Sequence, residues 1–146
     1  MIAARYAGIT ACLLTTPALA ACDVTVSVAS YHFDRSQPQN ERNPGLGIEC
    51  PLGAEWYMAA GAYRNSHLDD GEDKHSAYLL GMYAPWRYGP VRIGVGGGLV
   101  TGYDDDPMPM AGVTLTFDVH RNLAVGALVT PVVTGFYLKL KWDAAK

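Results

Sequence analysis

The sequence lacks any uninterrupted apolar stretch of the ~18 residues that a membrane-spanning helix requires. Charged residues make up only 17% of the 146 residues, and no segment has a convincing helical period. The formal net charge is −3, so the chain has no basic surface of the kind that binds nucleic acid. These absences exclude a helical membrane protein and argue against a nucleic-acid partner.

Residues 1–20 have the composition of a secretory signal peptide. Arg5 precedes an apolar stretch from Tyr6 to Leu14, and Ala18–Ala20 forms a small-residue cleavage site. Cleavage there leaves residues 21–146 as one domain of ordinary size. The alternative is a lipobox at Leu19–Cys22, in which Cys22 carries a lipid. The two interpretations exclude each other.

Alternating apolar and polar residues, separated by turn residues, predict eight β-strands after the signal peptide. The predicted strands lie at 22–33, 44–50, 55–64, 75–84, 90–102, 109–119, 123–130 and 135–142. The connections alternate in length, with long ones at 34–43 and 65–74 and short ones at 51–54 and 120–122. This pattern predicts an all-β fold, a single up-and-down antiparallel barrel with long external loops and short periplasmic turns.

The two faces of the predicted strands differ in chemistry. One face is apolar: Val24, Val26, Val28, Leu46, Ile48, Val91, Ile93, Val95, Val113, Leu115, Phe117, Phe136, Leu138 and Leu140. The other face carries glycine, hydroxyl and charged side chains, among which Glu49, Arg92, Asp118, Lys139 and Lys141 are expected to pair inside the barrel. A soluble eight-stranded barrel would turn its apolar face inward. A Gly-rich, polar face suits the lumen instead, so lipid outside and the outer membrane of a Gram-negative envelope are predicted, with the periplasm as the alternative.

Aromatic residues fall at both ends of the predicted strands, as in the two girdles of a membrane barrel. At the short-turn end they are Trp56, Tyr57, Trp86, Tyr88 and Trp142, and at the other end Tyr31, Phe33, Tyr63, Tyr103 and Phe136. One strand departs from the pattern, because 44–50 is shorter than the ~9 to 11 residues that a crossing needs.

Cys22 and Cys50 remain after Cys12 leaves with the signal peptide. If the first two strands form a hairpin with Val24 opposite Ile48, the same register places Cys22 opposite Cys50. An exported protein matures in an oxidising compartment, so we expect these two cysteines to form a disulfide. Two cysteines so far apart predict no metal site.

Polar residues cluster where several strands meet the long loops. Ser30 and His32 share a face of the first strand, and they could act as nucleophile and general base with Glu41 or Glu49 orienting the imidazole. If Ser30 and His32 continue the outward face of Val28, Glu49 points into the lumen, and only Glu41 or a bulge could complete the triad. Ser66 is a second candidate nucleophile. The other members of this rim cluster are Asn43, Arg64, Asn65 and Tyr103.

Around Ser30 and His32 the chain resembles the lipid A deacylases, outer-membrane barrel esterases with a Ser-His-Glu group on the barrel exterior. The resemblance implies ester cleavage by Ser30, His32 and Glu41. Those enzymes have the order His-x-Ser late in the chain, whereas this chain has Ser30-x-His32 in the first strand. Through segments 30–33, 40–49, 61–66 and 100–103 the chain also looks like a group of small barrel proteins from phages and proteobacteria. That resemblance implies a shared fold and no particular activity.

No segment carries a cofactor motif. The acidic stretches Asp69–Asp73 and Asp104–Asp106 lack the spacing of a calcium loop, and Gly94–Gly98 lies within a strand rather than between a strand and a helix. The leading hypothesis is a non-catalytic outer-membrane barrel whose loops bind lipopolysaccharide, another envelope lipid or a surface protein. The alternatives are an envelope-lipid esterase that uses Ser30 or Ser66 with His32, and a soluble periplasmic barrel that binds a small apolar ligand.

Overall fold

A computed structural model describes residues 22–66, 74–103 and 107–141. The predicted signal peptide at 1–20, the acidic stretches 69–73 and 104–106, and Trp142 lie outside the described residues. The eight strands are β1 (Asp23–His32), β2 (Arg42–Pro51), β3 (Trp56–Arg64), β4 (His75–Tyr88), β5 (Val91–Val100), β6 (Met108–His120), β7 (Leu123–Val129) and β8 (Val133–Leu140).

Each strand pairs antiparallel with its neighbours in chain order, and β1 pairs with β8 to close the barrel. The predicted all-β up-and-down barrel is therefore confirmed. The described residues include no helix of the length and apolarity that a membrane span requires. We call the end with the β1–β2, β3–β4, β5–β6 and β7–β8 connections the loop end, and the opposite end the turn end.

Three strands are longer than predicted, and β6 gains one residue at each end. Strand β2 has ten residues, because pairing with β3 continues through Cys50 and Pro51 and the strand begins at Arg42. Strand β4 has fourteen residues and continues to Tyr88, where Gly89, with a φ of 58°, makes the turn to β5. The prediction ended β4 before Pro85, but this proline lies at an irregularity in the pairing between Tyr83 and Trp86, where no ladder hydrogen bond is required of it.

The predicted division into an apolar outer face and a polar inner face is confirmed. Exposed apolar side chains surround the barrel, among them Val28, Leu46, Ile48, Leu79, Val95, Leu99, Val113, Leu115, Phe117, Phe136, Leu138 and Leu140. Buried polar side chains fill the interior, among them Thr25, Glu49, Thr114, Thr116 and Lys139. An eight-stranded barrel has an interior just wide enough for side chains to fill, so the inward polar side chains occupy much of the lumen while the exterior is apolar.

The aromatic residues divide differently from the prediction. Trp56, Trp86 and Tyr88 are exposed at the turn end, and Tyr31 and Phe33 at the loop end, as expected. Tyr57, Tyr63 and Tyr103 were expected in the same girdles and instead face the interior. Tyr57 contacts the buried cluster of Ala59, Leu80 and Met82. Tyr63 and Tyr103 line a cavity in the loop-end half of the barrel interior. Tyr57 and Tyr63 have the strand parity of Ala59, and parity determines the face of a side chain more strongly than distance from the strand end.

The interior at the turn end is closed by paired charges. The Glu49 carboxylate accepts a hydrogen bond from Arg92 at 3.0 Å and also pairs with Lys139, which is fully buried. The Arg92 guanidinium lies 4.3 Å from the centre of the Tyr57 ring. Lys141 and Asp118 form a separate, partly exposed ion pair. The five charged residues predicted to pair inside the barrel thus form two groups, of which only the first lies across the lumen.

A disulfide joins Cys22 to Cys50 at the same end. The register of β1 with β2 places Val24 opposite Ile48 and Val26 opposite Leu46, as predicted from the sequence. The predicted disulfide is therefore confirmed, and a Cys22 in this bond has no free thiol for a lipid.

Candidate functional site

A bulge in β1 determines where the candidate catalytic residues lie. The pairing of β1 shifts between Ser27 and Ala29 on both sides, but in opposite senses. Against β8, Ser27 and Ala29 lie opposite the consecutive residues Tyr137 and Phe136, so Val28 is an extra residue of β1. Against β2, they lie opposite Gly45 and Arg42, so there the extra residue is on β2. An extra residue reverses the alternation beyond it. Ser30 and His32 consequently line the interior, so the alternative in which they follow Val28 to the outer face does not hold.

Ser30 and His32 open onto a cavity of about 150 Å³ in the loop-end half of the barrel. Its walls are largely apolar: Ala59, Leu80, Met82, Met110 and Leu128. Glu49 lies at its floor, and at its rim are Ser30, His32, Asn43, Tyr63, Ser66 and Tyr103. A closed apolar cavity of roughly 150 Å³ accommodates a benzene-sized group, so the volume suffices for a short apolar portion of a ligand.

Asn43 connects the two candidate nucleophiles. It is 4% exposed and lies near the start of β2. The Ser30 hydroxyl donates to Asn43 Oδ1 at 2.6 Å, and Asn43 Nδ2 donates to Ser66 Oγ at 3.0 Å. The same nitrogen also lies 3.0 Å from the backbone carbonyl oxygen of Arg64 and 3.2 Å from that of Asn40, so its two N–H groups are shared among three acceptors. One amide therefore joins the ends of β1, β2 and β3.

The rest of the rim cluster forms a second hydrogen-bonded group. Asn65 Nδ2 donates to Ser76 Oγ at 2.9 Å and to the carbonyl of Gly102 at 2.5 Å. The hydroxyls of Tyr63 and Tyr103 lie 3.0 Å apart. The structure thus brings Asn43, Arg64, Asn65 and Tyr103 to one end of the barrel, as the sequence predicts, while Glu49 lies at the floor with Arg92 and Lys139.

His32 occupies a distinct position in this arrangement. Among the described residues, its Nδ1 is the buried side-chain atom that has no hydrogen-bond partner. Glu41, the predicted orienting carboxylate, pairs with Arg35 at 3.0 Å. The hydrogen bonds between described residues include none from His32 to Ser30, Ser66 or Glu41, so the structure brings the predicted catalytic residues to one rim without assembling a hydrogen-bonded triad.

A second hollow lies on the other side of His32, in the β1–β2 connection. It is polar and is lined by His32, Asp34, Arg35, Ser36, Gln37, Pro38, Gln39 and Glu41. The backbone N–H of Ser36 donates to the Asp34 carboxylate at 2.8 Å, which lowers the pKa of Asp34. The guanidinium of Arg35 lies 4.4 Å from the centre of the Tyr31 ring. His32 therefore lines both the largely apolar cavity and the hollow that is bordered by charged and polar loop residues.

The barrel wall changes between β6 and β7 near the cavity. Their pairing ends at Val113 opposite Val129, whereas β6 stays paired with β5 up to Met108 opposite Val100. The loop-end part of β6, including the cavity residue Met110, thus has a strand neighbour only on the β5 side among the described residues.

Alternation in the sequence does not identify the apolar walls of the cavity. Leu80 and Met82 face inward, whereas Leu79 and Gly81 face outward. Both faces of β4 are therefore apolar here, so alternation gives no signal. The sequence feature that identifies such a segment is the unbroken apolar run Ala77–Ala84, which is typical of a strand covered on both faces.

Among the described residues, no group of three histidine, cysteine, aspartate or glutamate side chains is arranged to hold a metal ion. Comparison of the chain with protein-family models, with curated proteins and with solved structures finds no match. A function must therefore be inferred from the barrel surface, the cavity and the rim.

Proposed function

We propose that the protein is an outer-membrane barrel that holds an amphipathic envelope lipid at the outer end of its lumen. The observation that carries this proposal is the position of His32, which lines both the apolar cavity and the polar hollow. A ligand could place an apolar group in the cavity and a head group with hydroxyls or charges in the hollow. The bond that joins the two parts of the ligand would then lie beside His32. Lipopolysaccharide and other acylated envelope lipids have this chemistry.

The outer face supports the membrane location. Apolar side chains surround the closed barrel and stand exposed: Leu46 is 65% exposed, Val95 47% and Val113 46%. An apolar surface of this extent would promote aggregation in water, whereas it is well solvated by the lipid of a bilayer. The interior is correspondingly polar at the turn end, where Glu49, Arg92 and Lys139 pair.

Two arginine substitutions on β6 test the membrane location. Val113 and Val119 are both exposed, but Val113 lies near mid-strand and Val119 beside the turn to β7. In a bilayer, Val113→Arg is expected to lower the free energy of unfolding by about 2–4 kcal/mol and Val119→Arg by about 0–1 kcal/mol. The measurement is urea unfolding in lipid vesicles, together with heat-modifiable mobility of the protein in an outer-membrane fraction. Equal effects of the two substitutions, with a protein soluble without detergent, would favour the soluble periplasmic barrel.

A second candidate function, cleavage of an ester in the bound lipid, is favoured by the rim itself. Ser30, Ser66 and His32 line one cavity and come from the ends of β1 and β3. A serine Oγ would attack the ester carbonyl while His32 takes the hydroxyl proton and passes it to the departing alcohol. His32 would then take a proton from water, which attacks the acyl-serine. The acid leaves, and His32 returns the proton to the serine Oγ.

Mass spectrometry of lipid A separates binding from cleavage. Cells with the wild-type protein are compared with cells that express His32→Ala at equal outer-membrane abundance. A change in the number of acyl chains that requires His32 would support the catalytic function. Lipid A that keeps its full set of acyl chains in both samples, with lipid still retained by the purified wild-type barrel, would reject cleavage of lipid A and leave the binding function. A barrel purified without any retained lipid would contradict the binding function.

A further inference from the structure

The orientation of the Asn43 side chain is determined by its backbone neighbours. Its Nδ2 lies 3.0 Å from the carbonyl oxygen of Arg64 and 3.2 Å from that of Asn40. Carbonyl oxygens can only accept hydrogen bonds, so the amide nitrogen must occupy this side and the amide oxygen the other. The alternative orientation would place two oxygens against Oδ1.

This orientation distinguishes the hydroxyl protons of the two serines. Ser30 Oγ lies 2.6 Å from Asn43 Oδ1, which has no proton, so Ser30 must donate its own. Ser66 Oγ lies 3.0 Å from Nδ2 and accepts a hydrogen bond from it. The proton of Ser66 is thereby directed away from Asn43, while Ser66 remains on the cavity wall together with His32. His32 Nδ1 has no hydrogen-bond partner among the described residues.

We propose that Asn43 is a positioning residue that makes Ser66, and not Ser30, the reactive hydroxyl of this site. The proposal rests on the ester-cleaving function proposed above. The amide oxygen of Asn43 accepts a hydrogen bond from the Ser30 hydroxyl, and its amide nitrogen donates one to Ser66 Oγ. In the reaction, Ser66 Oγ forms the bond to the carbonyl carbon, its proton goes to His32, and the ester C–O bond breaks to release the alcohol. Asn43 makes and breaks no covalent bond.

A fluorophosphonate probe tests this assignment, because attack by a serine on phosphorus releases fluoride and leaves a stable phosphonyl-serine. The full-length barrel, folded in detergent with heat-modifiable mobility, is labelled and the modified peptide is identified by mass spectrometry. We expect the label on Ser66. We further expect Asn43→Asp to slow the labelling step about ten-fold or more with little change in the half-saturating probe concentration, since the lost hydrogen bond acts in the reaction and not in probe binding.

In Asn43→Asp the carboxylate keeps the acceptor for Ser30 and removes the N–H donor to Ser66. The Ser66 hydroxyl would then donate a hydrogen bond to the introduced carboxylate. Asn122→Asp makes the same chemical change in the β6–β7 turn at the opposite end of the barrel and is expected to label at the wild-type rate. Because the introduced carboxylate also meets the carbonyl oxygens of Arg64 and Asn40, the temperature of the mobility change is expected to fall whichever role Asn43 has. A purely structural role would in addition weaken probe binding, whereas a positioning role changes mainly the labelling step.

The possible failures are distinguishable. A label on Ser30, or an Asn43→Asp variant that labels as fast as the wild type, overturns the role of Asn43 while ester cleavage stands. A wild-type barrel that neither reacts with the probe nor changes lipid A overturns the catalytic function and this inference together.

Discussion

The two ends of the barrel interior are built from different chemistry. At the turn end, Glu49, Arg92 and Lys139 are charged, and they pair with one another across the lumen. At the loop end, the buried side chains are neutral hydroxyls and amides around an open cavity. A buried charge is tolerated only when its partners surround it, so the turn end must be filled. Neutral groups with a few hydrogen bonds each can border empty space, which is what a ligand site requires.

The largest expected loss of stability comes from removing the shared carboxylate of the charged turn end. Glu49→Ala leaves Arg92 and Lys139 without their shared carboxylate in the closed part of the lumen. We expect the free energy of unfolding, measured by urea titration in lipid vesicles, to fall by about 3–5 kcal/mol, because two buried cations lose their counter-ion. A loss below about 1 kcal/mol would show that water or other groups replace Glu49.

Asp118→Ala is the matched control for that experiment. Asp118 and Lys141 also form an ion pair at the turn end, but the side chains are 35% and 25% exposed. Because solvent screens this pair, its loss is expected to cost about 0–1 kcal/mol. The difference between the two substitutions isolates the effect of burial.

The next largest effect concerns the disulfide, which ties the same end of the barrel. Cys22 and Cys50 are 28 residues apart in the chain, and closing a loop of this length stabilises the folded state by about 3 kcal/mol in the chain-entropy model. Replacing both cysteines with serine should lower the stability by a similar amount. The wild type is measured with and without a reductant in parallel. Equal stability in both conditions would contradict the disulfide.

The charged end could be predicted from the sequence and the neutral end only in part. Register, disulfide and ion pairing at the turn end follow from strict alternation in β1 and β2, which is undisturbed between Asp23 and Ser27. The same alternation fails beyond Val28, because β1 has one extra residue there relative to β8 and no residue type in Val28–Ser30 marks it. Ser30 and His32 can therefore be recognised as candidates from the sequence, but alternation assigns them to the wrong face.

The cavity walls could not be predicted for a related reason. Inward Leu80 and Met82 and outward Leu79 are equally apolar, so their faces depend on the closed geometry of the barrel and not on a local pattern. The pairing of Asn43 with Ser30 and Ser66 also depends on three strand ends that meet only after closure. Rim membership is visible in the sequence, whereas hydrogen-bond partners are not.

The smallest expected effect on stability sharpens the contrast between a filled and an open interior. Ala59 and Ala60 are neighbours on β3, of which Ala59 lines the cavity, while Ala60, opposite the outward Ile48, has the parity of the outer face. Ala59→Leu adds three carbons to the cavity, and because empty volume is available we expect the free energy of unfolding to change by no more than about 1 kcal/mol. Lipid retained by the purified barrel, measured by native mass spectrometry, should nevertheless fall strongly, whereas Ala60→Leu should retain as much lipid as the wild type. If Ala59→Leu costs several kcal/mol, the cavity is too tightly packed to hold a ligand. If both variants retain lipid equally, the lipid lies on the outer face and the lumen is not its binding site.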